Sequence, residues 1–332
     1  MTEERKPKYR YSEIFGHTIQ GEGAKSVGFT GGPEGPGING SCHGNGTSKV
    51  GKGAGYVWIR FWGCNFKCDG FGQKNINDKS TWVLPYKDID PSKYSKLEDL
   101  PVFEYGCDSS YSWSKDFSCL AKRGTADEIV DELEKIIPEG KFQHPKTKQW
   151  HHMAFTGGEP IISQNAIVSI MDEFNSRNNL PKFVTIETNG TQPIRQPFID
   201  MVHRYFDVVP PYDRLTEYPE LFWSVSPKLF LSGEKWEEAI KPEIVKSYYD
   251  VSPFGQLKFV CDGSDRAWDE IEKATQLYRD AGITWDVYIM PVGATKEEQE
   301  EIQAKVIVEA IDRGYYASPR VHSLLFGNTI GT

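Results

Sequence analysis

The chain has 332 residues, of which 38% are hydrophobic and 26% charged, and its formal net charge is −9. That balance fits a globular protein of one large or two ordinary domains and excludes a disordered chain, a coiled coil or a collagen-like fibre. No apolar run approaches the ~18 residues needed to cross a bilayer, and the start MTEERKPKYR lacks a hydrophobic signal segment. The expectation is a cytoplasmic protein with no membrane and, given its acidity, no direct nucleic-acid partner.

Residues 21–55 hold thirteen of the 31 glycines. Glycine loses the most backbone freedom on folding, so 24–55 reads as a long inserted loop. YVWIRFW (56–62) follows, dense in β-branched and aromatic residues, and reads as a buried strand. Further strands are predicted at 151–156, 183–188, 221–226, 256–261 and 284–289. Helices are predicted at 125–137, 163–177, 194–205, 234–249, 264–281 and 295–313. The first and last open on T-x-x-E capping boxes, Thr125 with Glu128 and Thr295 with Glu298. Ile129, Leu133, Ile136 and Ile137 share one face of the first.

Six strands alternating with six helices imply parallel strands joined by crossovers. Six units fall short of a closed eightfold barrel. The expected fold is therefore α/β, a partial (β/α)6 barrel, with a doubly wound open sheet as the competing architecture. Either one binds ligands at the carboxyl ends of its strands.

Those ends carry chemistry. After the first strand come Cys64 and Cys68, a thiol pair able to grip a metal or cluster with one more soft ligand. After the second comes TGGEP, Thr156 to Pro160, where Gly157 and Gly158 allow close backbone approach and Glu159 offers an acceptor for a cationic amine. After the third comes ETNGT, with Thr188 and Asn189, and after the fourth Ser226-Pro227-Lys228, able to bind a carboxylate. The fifth ends in Lys258 and Cys261-Asp262 and the sixth in Met290-Pro291. Amine and carboxylate partners together point to an amino-acid ligand and not to a phosphate. The six cysteines, Cys42, Cys64, Cys68, Cys107, Cys119 and Cys261, are too few for a disulfide scaffold.

The ordered set EIFGHTIQGEG, WIRFWGCNFKC, CDSSYSW, TGGEP, IETNGT, SVSPK, LKFV and SPRVHSLLFGN spans nearly the whole chain. It resembles the radical S-adenosylmethionine (SAM) enzymes, and within them the 7-carboxy-7-deazaguanine synthase family. The resemblance implies a [4Fe–4S] cluster on a C-x3-C-x2-C motif, but Phe71 stands where the third cysteine belongs. The signature that follows that cysteine reappears at Cys107-Asp108-Ser109-Ser110-Tyr111-Ser112-Trp113. Cys107 is thus the expected third ligand, with Cys119 and Cys42 as rivals, and 69–106 is an insertion within the cluster loop. Lengthening that loop from two residues to the 38 between Cys68 and Cys107 costs about 2.5 kcal/mol of closure entropy. A structural metal site supplies on the order of 10 kcal/mol. The whole chain, 1–332, is expected to be one domain carrying the two insertions.

The resemblance further implies conversion of 6-carboxy-5,6,7,8-tetrahydropterin to 7-carboxy-7-deazaguanine with loss of ammonia, in queuosine-type 7-deazapurine biosynthesis. It implies SAM held by Gly157, Gly158, Glu159, Thr188, Asn189, Ser226, Pro227, Lys228 and the turn Met290, Pro291, Val292, Gly293. Substrate contacts fall to Ile19, Gln20, Gly21, Glu22, Arg60, Thr156, His322 and Thr332, with Arg60 pairing the substrate carboxylate. Mg2+ falls to Ser109, where the family has threonine. The implied partners are the small pterin substrate, an electron donor such as flavodoxin or ferredoxin, and a second copy of the chain in a homodimer. Two alternatives stand beside this reading: an activating enzyme for a glycyl-radical partner, and a non-catalytic zinc module using Cys64, Cys68, Cys107 and a histidine such as His43.

Overall fold

The structure, a computed structural model, describes residues 6–16, the backbone of 17–19, and residues 55–206, 219–320, 323–324, 327 and 329–330. All described strands join one mixed sheet of nine, in the order β3-β1-β2-β4-β5-β6-β7-β8-β9. The six predicted strands are present as β2 (Gly55–Phe61), β4 (His152–Gly157), β5 (Phe183–Thr188), β6 (Glu220–Val225), β7 (Gly255–Cys261) and β8 (Asp286–Pro291), each parallel to its neighbours in that run. Three strands were not expected. β1 (Tyr9–Ile19) pairs antiparallel with β2, β3 (Lys122–Gly124) pairs antiparallel with β1, and the two-residue β9 (Tyr316–Ala317) extends the parallel run beyond β8. The strict parallel alternation read from the sequence is corrected to that extent.

Helices fill the connections: α1 (Ala126–Ile136), α2 (Gln164–Ser176), α3 (Gln196–Phe206), α4 (Trp236–Ala239), α5 (Pro242–Val251), α6 (Asp265–Asp280) and α7 (Lys296–Asp312). Both capping boxes form, at α1 and at α7. The helix expected at 234–249 is instead two, because Pro242 has no N–H to give and forces Lys241 out of helical geometry (φ −129°, ψ 71°).

The two-residue period of the strands sorts side chains between the faces. Val57, Ile59 and Phe61 of β2, Leu257, Phe259 and Cys261 of β7, and their counterparts on the other strands join one apolar core with the helices. The opposite face carries Arg60, Thr156, Glu187, Ser224, Lys258 and Met290, which line a cavity. A strand that is apolar on one face and functional on the other still reads as a parallel-sheet strand, because aromatic residues such as Tyr56 and Trp58 fill the lower levels of the cavity face.

Residues 69–106 build a second, smaller core. Tyr86, Leu97, Leu100 and Phe103 pack with Tyr111, Phe117 and, from the far end of the chain, Ile330. The insertion closes on itself at its neck, where Gly106 N–H donates to Phe71 O at 2.8 Å. It is also anchored to the rest of the protein through Gly70 N–H to Ser232 O at 3.0 Å.

Candidate active site

A cavity of about 300 Å³ opens at the carboxyl ends of the parallel strands. Its lining includes Cys64, Cys68 and Cys107, which also pack together around Phe66 and Phe71. The neck hydrogen bond explains their meeting: the chain leaves at Phe71, builds the insertion core, and returns beside Phe71 at Gly106 to deliver Cys107. The insertion's own core offsets the closure entropy of the loop. The rival Cys119 is exposed and outside the cavity, Cys261 is buried in the core on the opposite face of β7, and Cys42 lies outside the described residues.

The cluster loop is held from several directions. Cys68 has a positive φ of 54°, a conformation that side-chain-bearing residues adopt at a cost and that surrounding structure must enforce. The enforcing group is Glu234, whose Oε1 accepts from Lys67 N–H at 2.9 Å and Cys68 N–H at 2.8 Å. From the other side Asn189 Nδ2 donates to Asn65 Oδ1, and Asn65 Nδ2 to Thr191 Oγ1, both at 3.0 Å. The loss of these anchors should be visible. Glu234→Ala frees two backbone donors, and we expect the folded protein to lose ~1–3 kcal/mol of stability. An unchanged melting temperature would contradict that role.

The glycines of TGGEP allow close approach to the same loop. A Cβ on Gly158 would stand 2.3 Å from Gly63 O and 2.6 Å from Cys64 Cβ, and one on Gly157 would stand 2.6 Å from Phe61 O. Both glycines line the cavity. Glu159 departs from its expected place: it is buried away from the cavity lining, and its carboxylate accepts from Ile161 N–H (3.0 Å), Thr188 Oγ1 (2.7 Å) and Asn189 N–H (2.7 Å). Burial raises its pKa, against the pull of those donors. In this geometry it ties the second and third strand-end loops together.

Ser226 and Lys228 line the cavity, with Lys228 Nζ 3.3 Å from Ser226 Oγ, whereas Pro227 is not among the lining residues. Thr188, Asn189 and the turn Met290, Pro291, Val292, Gly293 also line it. Burial pushes the Cys64 thiol up to about 12 and the Cys107 thiol to about 11, and raises Cys68 as well; Lys228 pulls all three the other way. Soft thiols, one buried and two half-buried, that share a cavity with a lysine suit a cluster, whose binding would displace the thiol protons. Among the described residues no three His, Cys, Asp or Glu side chains gather for a single metal ion.

At the far wall Arg60 Nε bonds Glu13 Oε1 at 2.6 Å and its Nη1 bonds Ser109 Oγ at 3.1 Å. Burial works against the guanidinium charge, but Tyr111 and Glu13 outweigh it and raise the Arg60 pKa. Ser109 Oγ donates to Asp108 Oδ1 at 3.2 Å, and Asp108 pairs with Arg320 at 2.7 Å. The hydroxyl and carboxylate are hard oxygen donors of the kind Mg2+ takes. Thr156 lines the cavity near Arg60, its register partner. Of the other predicted substrate residues, the Ile19 side chain and Gln20, Gly21, Glu22, His322 and Thr332 lie outside the described residues, as do His43 and the glycine-rich stretch up to residue 54.

The sequence gives no role to Glu13, Asp108 or Arg320, and it places Glu187 and Lys258 at strand ends without pairing them; all five hold or line this wall and floor. The signal for the last two was present. Both occupy cavity-face positions near strand ends, but their proximity across the intervening β6 is a tertiary fact.

The 7-carboxy-7-deazaguanine synthase of Rhodopirellula baltica is 30% identical over 234 residues, 68% of this chain and 75% of that protein. This chain belongs to the 7-carboxy-7-deazaguanine synthase family. Proteins of the same name from Pyrobaculum aerophilum and Halobacterium salinarum are each 28% identical, over 73% and 72% of this chain and 88% and 84% of their own lengths. No protein-family model matches the chain.

Proposed function

We propose that this chain is a 7-carboxy-7-deazaguanine synthase of the radical SAM type. It converts 6-carboxy-5,6,7,8-tetrahydropterin to 7-carboxy-7-deazaguanine and ammonia, a lyase reaction of 7-deazapurine biosynthesis. The observation that carries the reading is the return of Cys107 to Phe71, which completes a three-cysteine set despite the insertion. The nine-stranded α/β sheet is read as a partial (β/α)6 barrel with added strands, in one domain spanning 1–332.

In this reading Cys64, Cys68 and Cys107 would hold a [4Fe–4S] cluster, and the chemistry it would supply with SAM is a 5′-deoxyadenosyl radical. Gly157, Gly158, Thr188, Asn189, Ser226, Lys228 and the 290–293 turn surround SAM, with Lys228 meeting its carboxylate. Glu159 and Pro227 act by shaping these loops. Arg60, oriented by Glu13, pairs with the substrate carboxylate through its planar fork. Ser109 with Asp108 offers the Mg2+ site, and Thr156 faces the substrate. Ile19, Gln20, Gly21, Glu22, His322 and Thr332 keep the substrate roles that the resemblance implies. A flavodoxin or ferredoxin supplies the electron, and the enzyme works as a homodimer in the cytoplasm. Among the described residues no helix is long and apolar enough to cross a membrane.

Anaerobic reconstitution with iron and sulfide tests the reading. It should give a brown protein with about four irons per chain, which converts the pterin substrate only when SAM and a reductant are both present. A colourless, zinc-loaded protein would overturn it.

A further inference from the structure

The cavity floor holds an ion pair that none of the roles above uses. Lys258, on β7, and Glu187, on β5, flank β6 and face each other at 3.9 Å, with Ser224 of β6 between their strands. Their side chains are 5% and 23% exposed, so a full charge has been carried deep into the site. Burying a charge pair is expensive, and apolar residues would serve the same space at least as well for stability alone. β7 uses such residues on its other face, at Leu257 and Phe259. Lys258 also lies within its strand, whereas Lys228 and the cysteines Cys64, Cys68 and Cys107 lie in loops beyond the strand ends. The pair therefore sits below the level of the three cysteines.

We propose that Lys258 and Glu187 read the amide edge of the substrate's 2-amino-4-oxopyrimidine ring. That edge presents, in order, a carbonyl acceptor, a ring N–H donor and an amino donor. An ammonium beside a carboxylate presents the complement: one donor and two acceptors. Phe15 and Trp58, whose rings stack on each other with centroids 5.7 Å apart and 2° from parallel, also line the cavity and give it aromatic surface for a bicyclic ligand. The pyrimidinone ring is unchanged between substrate and product, so the pair would hold the heterocycle while the neighbouring ring contracts. This inference rests on the synthase reading and adds to it the residues that select the heterocycle.

Calorimetry on the cluster-loaded protein tests it, with air-stable 7-carboxy-7-deazaguanine and its analogue lacking the 2-amino group as probes. The unsubstituted protein should prefer the amino compound. Glu187→Gln should weaken binding of the amino compound by about 10- to 100-fold, the scale of a hydrogen bond to a charged group, and leave the analogue far less affected. Lys258→Met should weaken both compounds alike, since both keep the carbonyl. Loss of folding alone would lower both affinities in Glu187→Gln and preserve their ratio. A preserved ratio overturns the proposal whatever the absolute affinities. If the unsubstituted protein binds neither compound and makes no product, the synthase reading itself fails, before any variant is needed.

Discussion

Replacing Cys107 with alanine should abolish the cluster, while replacing Cys119 should leave it intact. After anaerobic reconstitution we expect Cys107→Ala to lose most of its iron and the broad absorbance of an iron–sulfur protein, as Cys64→Ala and Cys68→Ala should. Cys119→Ala should match the unsubstituted protein. The contrast arises because Cys107 lines the cavity beside the other two thiols, whereas Cys119 is exposed and outside it. The fold should survive Cys107→Ala: the insertion has its own core and its neck bond uses backbone atoms of Phe71 and Gly106, so the melting of the apo forms should differ little. Iron retained by Cys107→Ala but lost by Cys119→Ala would reverse the ligand assignment.

The second large effect is expected at Arg60. Glu13 is 4% exposed and its Oε1 takes both the Arg60 Nε and, at 2.9 Å, the Tyr111 hydroxyl. Arg60→Ala strands that carboxylate, and removing one partner of a buried ion pair costs about 3–5 kcal/mol. The variant should melt markedly lower and show no measurable turnover. Glu13→Gln keeps an acceptor for the arginine and should be milder on both counts. Arg60→Lys separates the two roles of the residue. It keeps a positive charge near Glu13 but loses the planar fork, so stability should recover further than activity, with KM for the pterin substrate raised more than kcat is lowered. Equal recovery of stability and KM in Arg60→Lys would argue that the arginine serves the fold alone.

Much of the framework was legible because parallel strands buried on both sides are dense in apolar and aromatic residues, and because capping boxes announce helix starts. β1 escaped notice since YRYSEIFGHTI mixes polar and apolar residues, as expected for a strand whose form depends on its pairing with β2. β3 and β9 are too short, at three and two residues, to carry any periodic signal. The insertion was visible as an interruption between Cys68 and Cys107, but its internal order was not. Its short turns have no single period, and its core depends on Ile330 from the opposite end of the chain.

The candidate site divides along the same line. Cys64, Cys68, the glycine pair and Lys228 are legible from their positions at strand ends, whereas Cys107 is legible only from the family signature that follows it. Residues that act through a distant partner are not legible in this way. Glu159 stands at a strand end as a ligand contact would, and its bonds from Ile161, Thr188 and Asn189 are visible only in the folded chain. Glu187 and Lys258 each look unremarkable in a strand and acquire meaning only where β5 and β7 bring them together.

Product analysis after anaerobic turnover tests the central claim most directly. Reconstituted protein is incubated with SAM, a reductant and 6-carboxy-5,6,7,8-tetrahydropterin, and the mixture is examined by mass spectrometry and ammonia assay. The account predicts 7-carboxy-7-deazaguanine and ammonia in equal amounts, lost together in Cys107→Ala. A brown, SAM-cleaving protein that leaves the pterin unchanged would contradict it.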